Sequence, residues 1–194
     1  MKRFVFAFTL LVVAASFATN VRAQTDMAAN HRSGGLGFHS TLAPVGFRWW
    51  LGGQKIALDA GFGYSSVQAP SYSDEKLNTW DLDIGVPILM KSWDRVHLLF
   101  RPGYLYESEQ VQATTPPAAF DTEDRTTSII TAELEAEVFL AENFSVSASH
   151  GVGFTTVNPP GSGDNITSFT TIGNNFTQVG FHVYFLGGGE GHTP

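Results

Sequence analysis

Apolar and polar residues alternate with a period of two along most of this chain, the pattern of strands whose two faces meet different surroundings. The clearest run is Lys55 to Val67. Ile56, Leu58, Ala60, Phe62 and Tyr64 fall on one face, with Ala57, Asp59, Gly61 and Gly63 on the other. A strand running to about Lys91 sets Trp80, Leu82, Ile84, Val86, Ile88 and Met90 against Asp81, Asp83, Gly85 and Pro87. Arg95 to Glu107 sets Val96, Leu98, Phe100, Tyr104 and Tyr106 against His97, Arg101, Gly103 and Glu107. Thr127 to Leu140 opposes Ile130, Leu134, Val138 and Leu140 to Thr131, Glu133, Glu135 and Glu137. Phe144 to Val157 opposes Phe144, Val146, Val152 and Phe154 to three serines and two glycines. Gln178 to Phe185 closes the series, with Val179, Phe181, Val183 and Phe185 between Gln178, Gly180, His182 and Tyr184. Two shorter strands are predicted first, Gly34 to Leu42 and Val45 to Leu51, joined by a turn at Ala43-Pro44.

The connections sort by length. Short turns are expected at Gly52-Gly53-Gln54, Ser92-Trp93-Asp94 and Ala141-Glu142-Asn143. Long loops are expected at Gln68 to Glu75, Ser108 to Thr126 and Asn158 to about Gly173. With an even strand count, every short turn falls at one end and every long loop at the other. That asymmetry is a property of outer-membrane barrels. The fold class expected is therefore all-β, an eight-stranded antiparallel up-and-down transmembrane barrel. Three signs favour an apolar face turned outward. The polar face is rich in glycine and serine, which suits a narrow lumen. The apolar face of the third to sixth strands carries no charge. Aromatic residues gather at strand ends as two belts, Trp49, Trp93, Phe144 and Phe185 near the short turns and Tyr64, Trp80, Tyr104 and Phe154 near the long loops. A soluble lipocalin-like barrel would turn the same pattern inside out and hold a hydrophobic ligand. Pro87 and Pro102 fall inside strands, where a missing N–H usually marks a bulge. His150 falls on the apolar face.

The closing stretch has the spacing polar-x-Gly-x-x-apolar-x-apolar at Gln178, Gly180, Val183 and Phe185. It resembles the assembly signal in the last strand of outer-membrane barrels. Together with the run Gly46-Phe47-Arg48-Trp49-Trp50-Leu51, it makes the chain similar to the small OmpA/OmpX-type barrels, including the opacity-like surface proteins. The resemblance covers residues 24–185 as pattern. It implies the cell outer membrane, with outer-membrane lipid and lipopolysaccharide around the wall, the barrel-assembly machinery as a folding partner, and a monomer. It also implies a structural or surface-interaction role, with a host or cell-surface ligand at the loops.

The start of the chain reads as a secretory signal. Lys2 and Arg3 precede an uncharged run from Phe4 to Ala15, and Val21-Arg22-Ala23 offers small residues to a peptidase, giving a signal peptide over 1–23. The barrel domain then occupies 24–185, and a glycine-rich tail 186–194. Cleavage removes three basic residues and no acid, taking 11 basic and 18 acidic residues to a net charge of −10. Nucleic acid is not an expected partner of so acidic a chain. There is no cysteine, which removes disulfides, thiolate metal sites and a cysteine nucleophile.

Candidate chemistry lies on the polar face. The lumen set is Arg48, Asp59, Asp81, Asp83, Arg101, Glu133, Glu135 and Glu137. Buried charges persist when paired, so Arg48 and Arg101 are each expected to bond two or more of these carboxylates. A lipid-modifying hydrolase or acyltransferase would need a histidine near a serine and a carboxylate. His39, His150 with Ser147 and Ser149, and Ser73-Asp74 are the candidates, and none forms a compact signature. No catalytic residue, cofactor or metal is assigned: Asp121-Thr122-Glu123-Asp124 lacks the spacing of a calcium loop.

Overall fold

The computed structural model describes residues 33–51, 54–68, 76–112, 122–161, 163–171 and 177–186. The expected signal peptide, most of the Gln68 to Glu75 loop, the Ser73-Asp74 pair and the end of the expected tail lie outside them. The described residues form ten strands: β1 (Gly34–Phe38), β2 (Val45–Trp50), β3 (Ala57–Gln68), β4 (Lys76–Gly85), β5 (Ile88–Trp93), β6 (Val96–Gln112), β7 (Thr122–Ala141), β8 (Phe144–Asn158), β9 (Ile166–Thr170) and β10 (Thr177–Leu186). All pairings are antiparallel. The pairing order is β10-β1-β2-β3-β4-β6-β7-β8-β9, with β5 also on β6, and β10 pairs with β1 on one side and β8 on the other, so the sheet closes on itself.

Ten strands make eight staves. β4 and β5 occupy one position between β3 and β6, and β9 and β10 lie in one line along β8. The product is a closed eight-stranded antiparallel barrel. The expected fourth strand does not run unbroken to Lys91. It breaks at Val86-Pro87, opposite Pro102. The Val86 N–H donates to the Pro102 carbonyl at 2.9 Å, and the Pro87 carbonyl accepts from Ala57 N–H at 2.8 Å. Pro102, by contrast, sits in register with Ala132 without a bulge. A residue's N and O point to the same neighbour in an antiparallel strand, so the missing N–H of Pro102 faces the stave at its break, where the Val86 N–H still donates to the Pro102 carbonyl.

Parts of two expected loops are strand. β6 and β7 pair from Val96↔Val138 up to Gln112↔Thr122, so both described ends of Ser108 to Thr126 form a ribbon standing above the wall. Within Asn158 to Gly173, β9 pairs with β8 through Ile166↔Val157 to Thr170↔Gly153.

The largest correction is at the start. The first strand stops at Phe38 instead of Leu42, and the His39 to Pro44 connection turns inward, leaving Thr41 and Pro44 exposed. His39, Ser40 and Ala43 are buried. Ser40 Oγ accepts from Ala43 N–H at 3.0 Å, closing a tight local turn. Glycines on the facing wall make the space: a Cβ at Gly63 would lie 1.9 Å from the Leu42 carbonyl oxygen, and one at Gly46 2.4 Å from His39 Cβ. No side chain fits at either position.

Burial follows the alternation, with charge inside and hydrocarbon outside. Arg48, Arg101, Asp59, Glu133 and Glu137 are each at most 2% exposed, while Phe62, Leu134 and Phe154 are about half exposed.

Candidate functional site: the interior charge network

Strand register carries each interior charge to its partner. Arg48 on β2 stands directly across from Asp59 on β3, and Arg101 on β6 across from Glu133 on β7. Arg48 grips Asp59 with both arms of its fork, Nε to Oδ1 and Nη2 to Oδ2, each at 2.8 Å. Its Nη2 also donates to Glu135 Oε2 at 2.9 Å, and Nη1 lies 3.2 Å from Glu137 Oε2. Arg101 reaches Asp59 Oδ2 at 3.1 Å, Glu133 Oε1 at 3.1 Å and Asp83 Oδ1 at 2.8 Å. Asp59 therefore joins the two arginines. The planar five-donor guanidinium suits such a junction, which a lysine could not reproduce.

Glycine again clears the ground. A Cβ at Gly85 would lie 2.4 Å from the guanidinium carbon of Arg101, and one at Gly103 3.0 Å from its Nη1.

Five carboxylates meet two guanidiniums here, so hydroxyls and rings complete the network. Ser149 Oγ donates to Glu133 at 2.8 Å and Ser145 Oγ to Glu137 at 2.6 Å. Tyr184 O–H donates to Glu137 at 2.7 Å and accepts from Trp50 Nε1 at 3.4 Å. Arg101 Nη2 lies 3.0 Å from His39 Nε2, and Asp83 Oδ2 lies 3.3 Å from the same nitrogen. Bonds thus run from the inward-folded His39 down to Trp50. His182, 1% exposed, has no hydrogen-bond partner at either ring nitrogen among the described residues.

Apolar layers cover the network at both ends. Below lie Trp50, Ala57, Leu89, Leu99, Phe139 and Tyr184; above lie Leu105 and Ile129 with Leu42 against them. Between them lies a space of about 10 Å³ lined by His39, Arg48, Arg101, Glu135 and Ser147, room for roughly one water. That space is too small for an organic ligand.

Seven of the eight expected lumen charges form this one network. Asp81 is buried one level higher, across from Glu107 and apart from both arginines. Trp49, Tyr64, Trp80, Trp93, Tyr104, Phe144 and Phe154 all project outward, Tyr64 directly across from Trp80. In β10, Val183 and Phe185 face out, while Gly180 is buried and Gln178 half-buried. His150 is on the outer wall, opposite in face to the inward Ser147 and Ser149, so that grouping is not brought together. Glu123 and Asp124 lie in the upper ribbon, and Asp121 is outside the described residues. No group of three or more histidines and carboxylates among the described residues is placed to hold a metal.

No family model, curated protein or solved structure matches this chain.

Sequence reasoning missed the inward connection and the two sealing layers. Leu89, Leu99, Leu105, Ile129 and Phe139 interrupt the polar face at its ends. The available signal was a local loss of alternation, as in Leu98-Leu99-Phe100 and Ile129-Ile130.

Proposed function

We propose that the protein is an outer-membrane barrel of the small OmpA/OmpX-like kind, a rigid non-catalytic scaffold whose upper ribbon and connections serve surface interactions. One observation carries this reading: hydrocarbon covers the outer wall and charge fills the interior. A water-soluble barrel has the opposite arrangement, because exposed apolar surface costs about 25 cal/mol per Å² and buried charge costs more. Closure adds support, since a sheet that closes on itself is the β-structure able to satisfy its backbone in lipid. The outward aromatics at strand ends match rings settled at two interfaces. The sealed interior favours a pillar over a pore, and the β6–β7 ribbon is the element best placed to meet a partner.

Membrane fractionation with gel electrophoresis before and after boiling tests the proposal. The expected result is a band in the outer-membrane fraction whose mobility shifts on heating. A soluble, unshifted protein would overturn it.

A further inference from the structure

Asp81, the eighth lumen charge, stays outside the arginine network. Strand register sets Gly63 beside it on β3 and Glu107 on β6. Asp83, two residues along β4 on the same face, is held by Arg101 at 2.8 Å. Glu109, two residues beyond Glu107, is paired with Arg125. What remains is Asp81 and Glu107, two carboxyl groups within hydrogen-bonding reach of each other. Neither has a hydrogen to give while ionised. Asp81 is 6% exposed, and its Oδ1 accepts no hydrogen bond among the described residues. Two carboxylates sharing a site in this way cannot both stay ionised without a counter-charge.

A third oxygen faces the same spot. The missing side chain of Gly63 leaves a hollow, with Asp81 Oδ2 3.3 Å and the Leu42 carbonyl oxygen 1.9 Å from where a Cβ would stand. The inward turn of residues 39–44 thus carries a main-chain carbonyl to the acid pair. Leu105 and Ile129, with Leu42 against them, form the apolar layer below. Leu105 lies one inward position beneath Glu107, so the acids stand on the long-loop side of the seal. An ion reaches them from that end without crossing it.

We propose that Asp81, Glu107 and the Leu42 carbonyl hold one divalent cation of calcium's size at the mouth of the barrel. The donors are all oxygen and carry two negative charges, the chemistry of a hard cation. Calcium takes an irregular shell of carboxylates, main-chain carbonyls and waters, whereas magnesium demands a near-ideal octahedron. Bound there, the ion cancels the repulsion of the pair and ties β4, β6 and the inward connection together at the base of the β6–β7 ribbon. With two carboxylates the affinity expected is that of weak extracellular sites, a Kd of about 0.1–1 mM. The site draws on the interior of the fold and stands or falls separately from the membrane reading.

The test titrates the full folded protein, in nonionic detergent micelles, with terbium(III) as a luminescent stand-in and then with calcium as competitor. The rings of Trp80 and Tyr106, chain neighbours of the two acids and 5.0 Å apart, sensitise terbium bound there. Saturable luminescence displaced by calcium is expected, with a thermal midpoint by tryptophan fluorescence that rises in about 10 mM calcium. Asp81→Asn and Glu107→Gln each remove one of two like charges, so both variants fold. Each is expected to weaken binding at least tenfold and to abolish the calcium-dependent rise. Asp94→Asn, in the exposed turn at the opposite end, is expected to leave both readouts unchanged. No saturable binding up to about 10 mM calcium, the result for a pair that shares only a proton, overturns the proposal. So does binding that Asp81→Asn and Glu107→Gln leave within twofold of the parent.

Discussion

Replacing Arg48 with methionine removes the guanidinium but keeps most of the side-chain volume. Arg48 is 1% exposed and serves Asp59 through two bonds, Glu135 through one and Glu137 through a 3.2 Å contact. Its loss leaves Glu135 without its ion-pair partner, and Asp59 paired to Arg101. Breaking a buried ion pair by removing one side costs about 3–5 kcal/mol. Here two buried carboxylates, Glu135 and Glu137, lose the guanidinium they are paired with beside a space with room for roughly one water, so the upper part of that range is expected. A loss of about 4 kcal/mol lowers the folded-to-unfolded ratio roughly a thousandfold. Arg48→Lys recovers only part of it, since an ammonium cannot span the fork. Adding Glu135→Gln to Arg48→Met removes one stranded charge, and a coupling above about 1 kcal/mol is expected in that double-mutant cycle. Urea titration of the protein refolded in micelles, read by the heat-shifted gel band and tryptophan fluorescence, measures all four variants. If Arg48→Met lies within about 1 kcal/mol of the parent, the network does not hold the interior together.

Gly63→Ala drives a methyl into the Leu42 carbonyl and is expected to cost more than about 2 kcal/mol in the same titration. Gly61→Ala, whose closest contact would be 2.8 Å to the His39 ring, is expected to cost less, and a reversed order would refute the inward path of residues 39–44. His182→Leu removes a buried imidazole whose nitrogens have no hydrogen-bond partner among the described residues and is expected to stabilise by about 1–3 kcal/mol; a destabilised variant would show that the ring is satisfied. The apolar layers at both ends of the lumen predict no steady conductance in planar bilayers, and discrete open levels would contradict that seal.

Alternation made the barrel legible because a period of two survives wherever the two faces meet unlike surroundings. Arg48 and Asp59 lie on the predicted inner face, and so does each of the other network charges. What alternation lacks is height. It does not say where a strand stops, so His39 to Leu42 read as strand while its true role depends on glycines 46, 61 and 63 in other strands. Val111 and Glu123 read as loop because their polar composition hides a ladder that extends past the wall. Leu99 and Phe139 were assigned to no face of consequence, since a large apolar residue among charges is informative only once its level in the barrel is known. Pro102 broke the rule for strand prolines because its missing donor faces a stave already broken at Pro87.

The inward fold of residues 39–44 bears on the order of events as the chain folds. The last seam, β1 with β10, joins residues about 145 positions apart, so the entropy of bringing them together is paid before any of its bonds form. His39 belongs to the segment that leaves β1 and ends against Asp83 and Arg101. Once β10 has docked on β1, the wall is continuous around a segment already lodged within it. Zipping the cylinder shut and stoppering it thus become a single late step, and a half-built barrel is one whose seam is open and whose arginine Arg101 still awaits its imidazole.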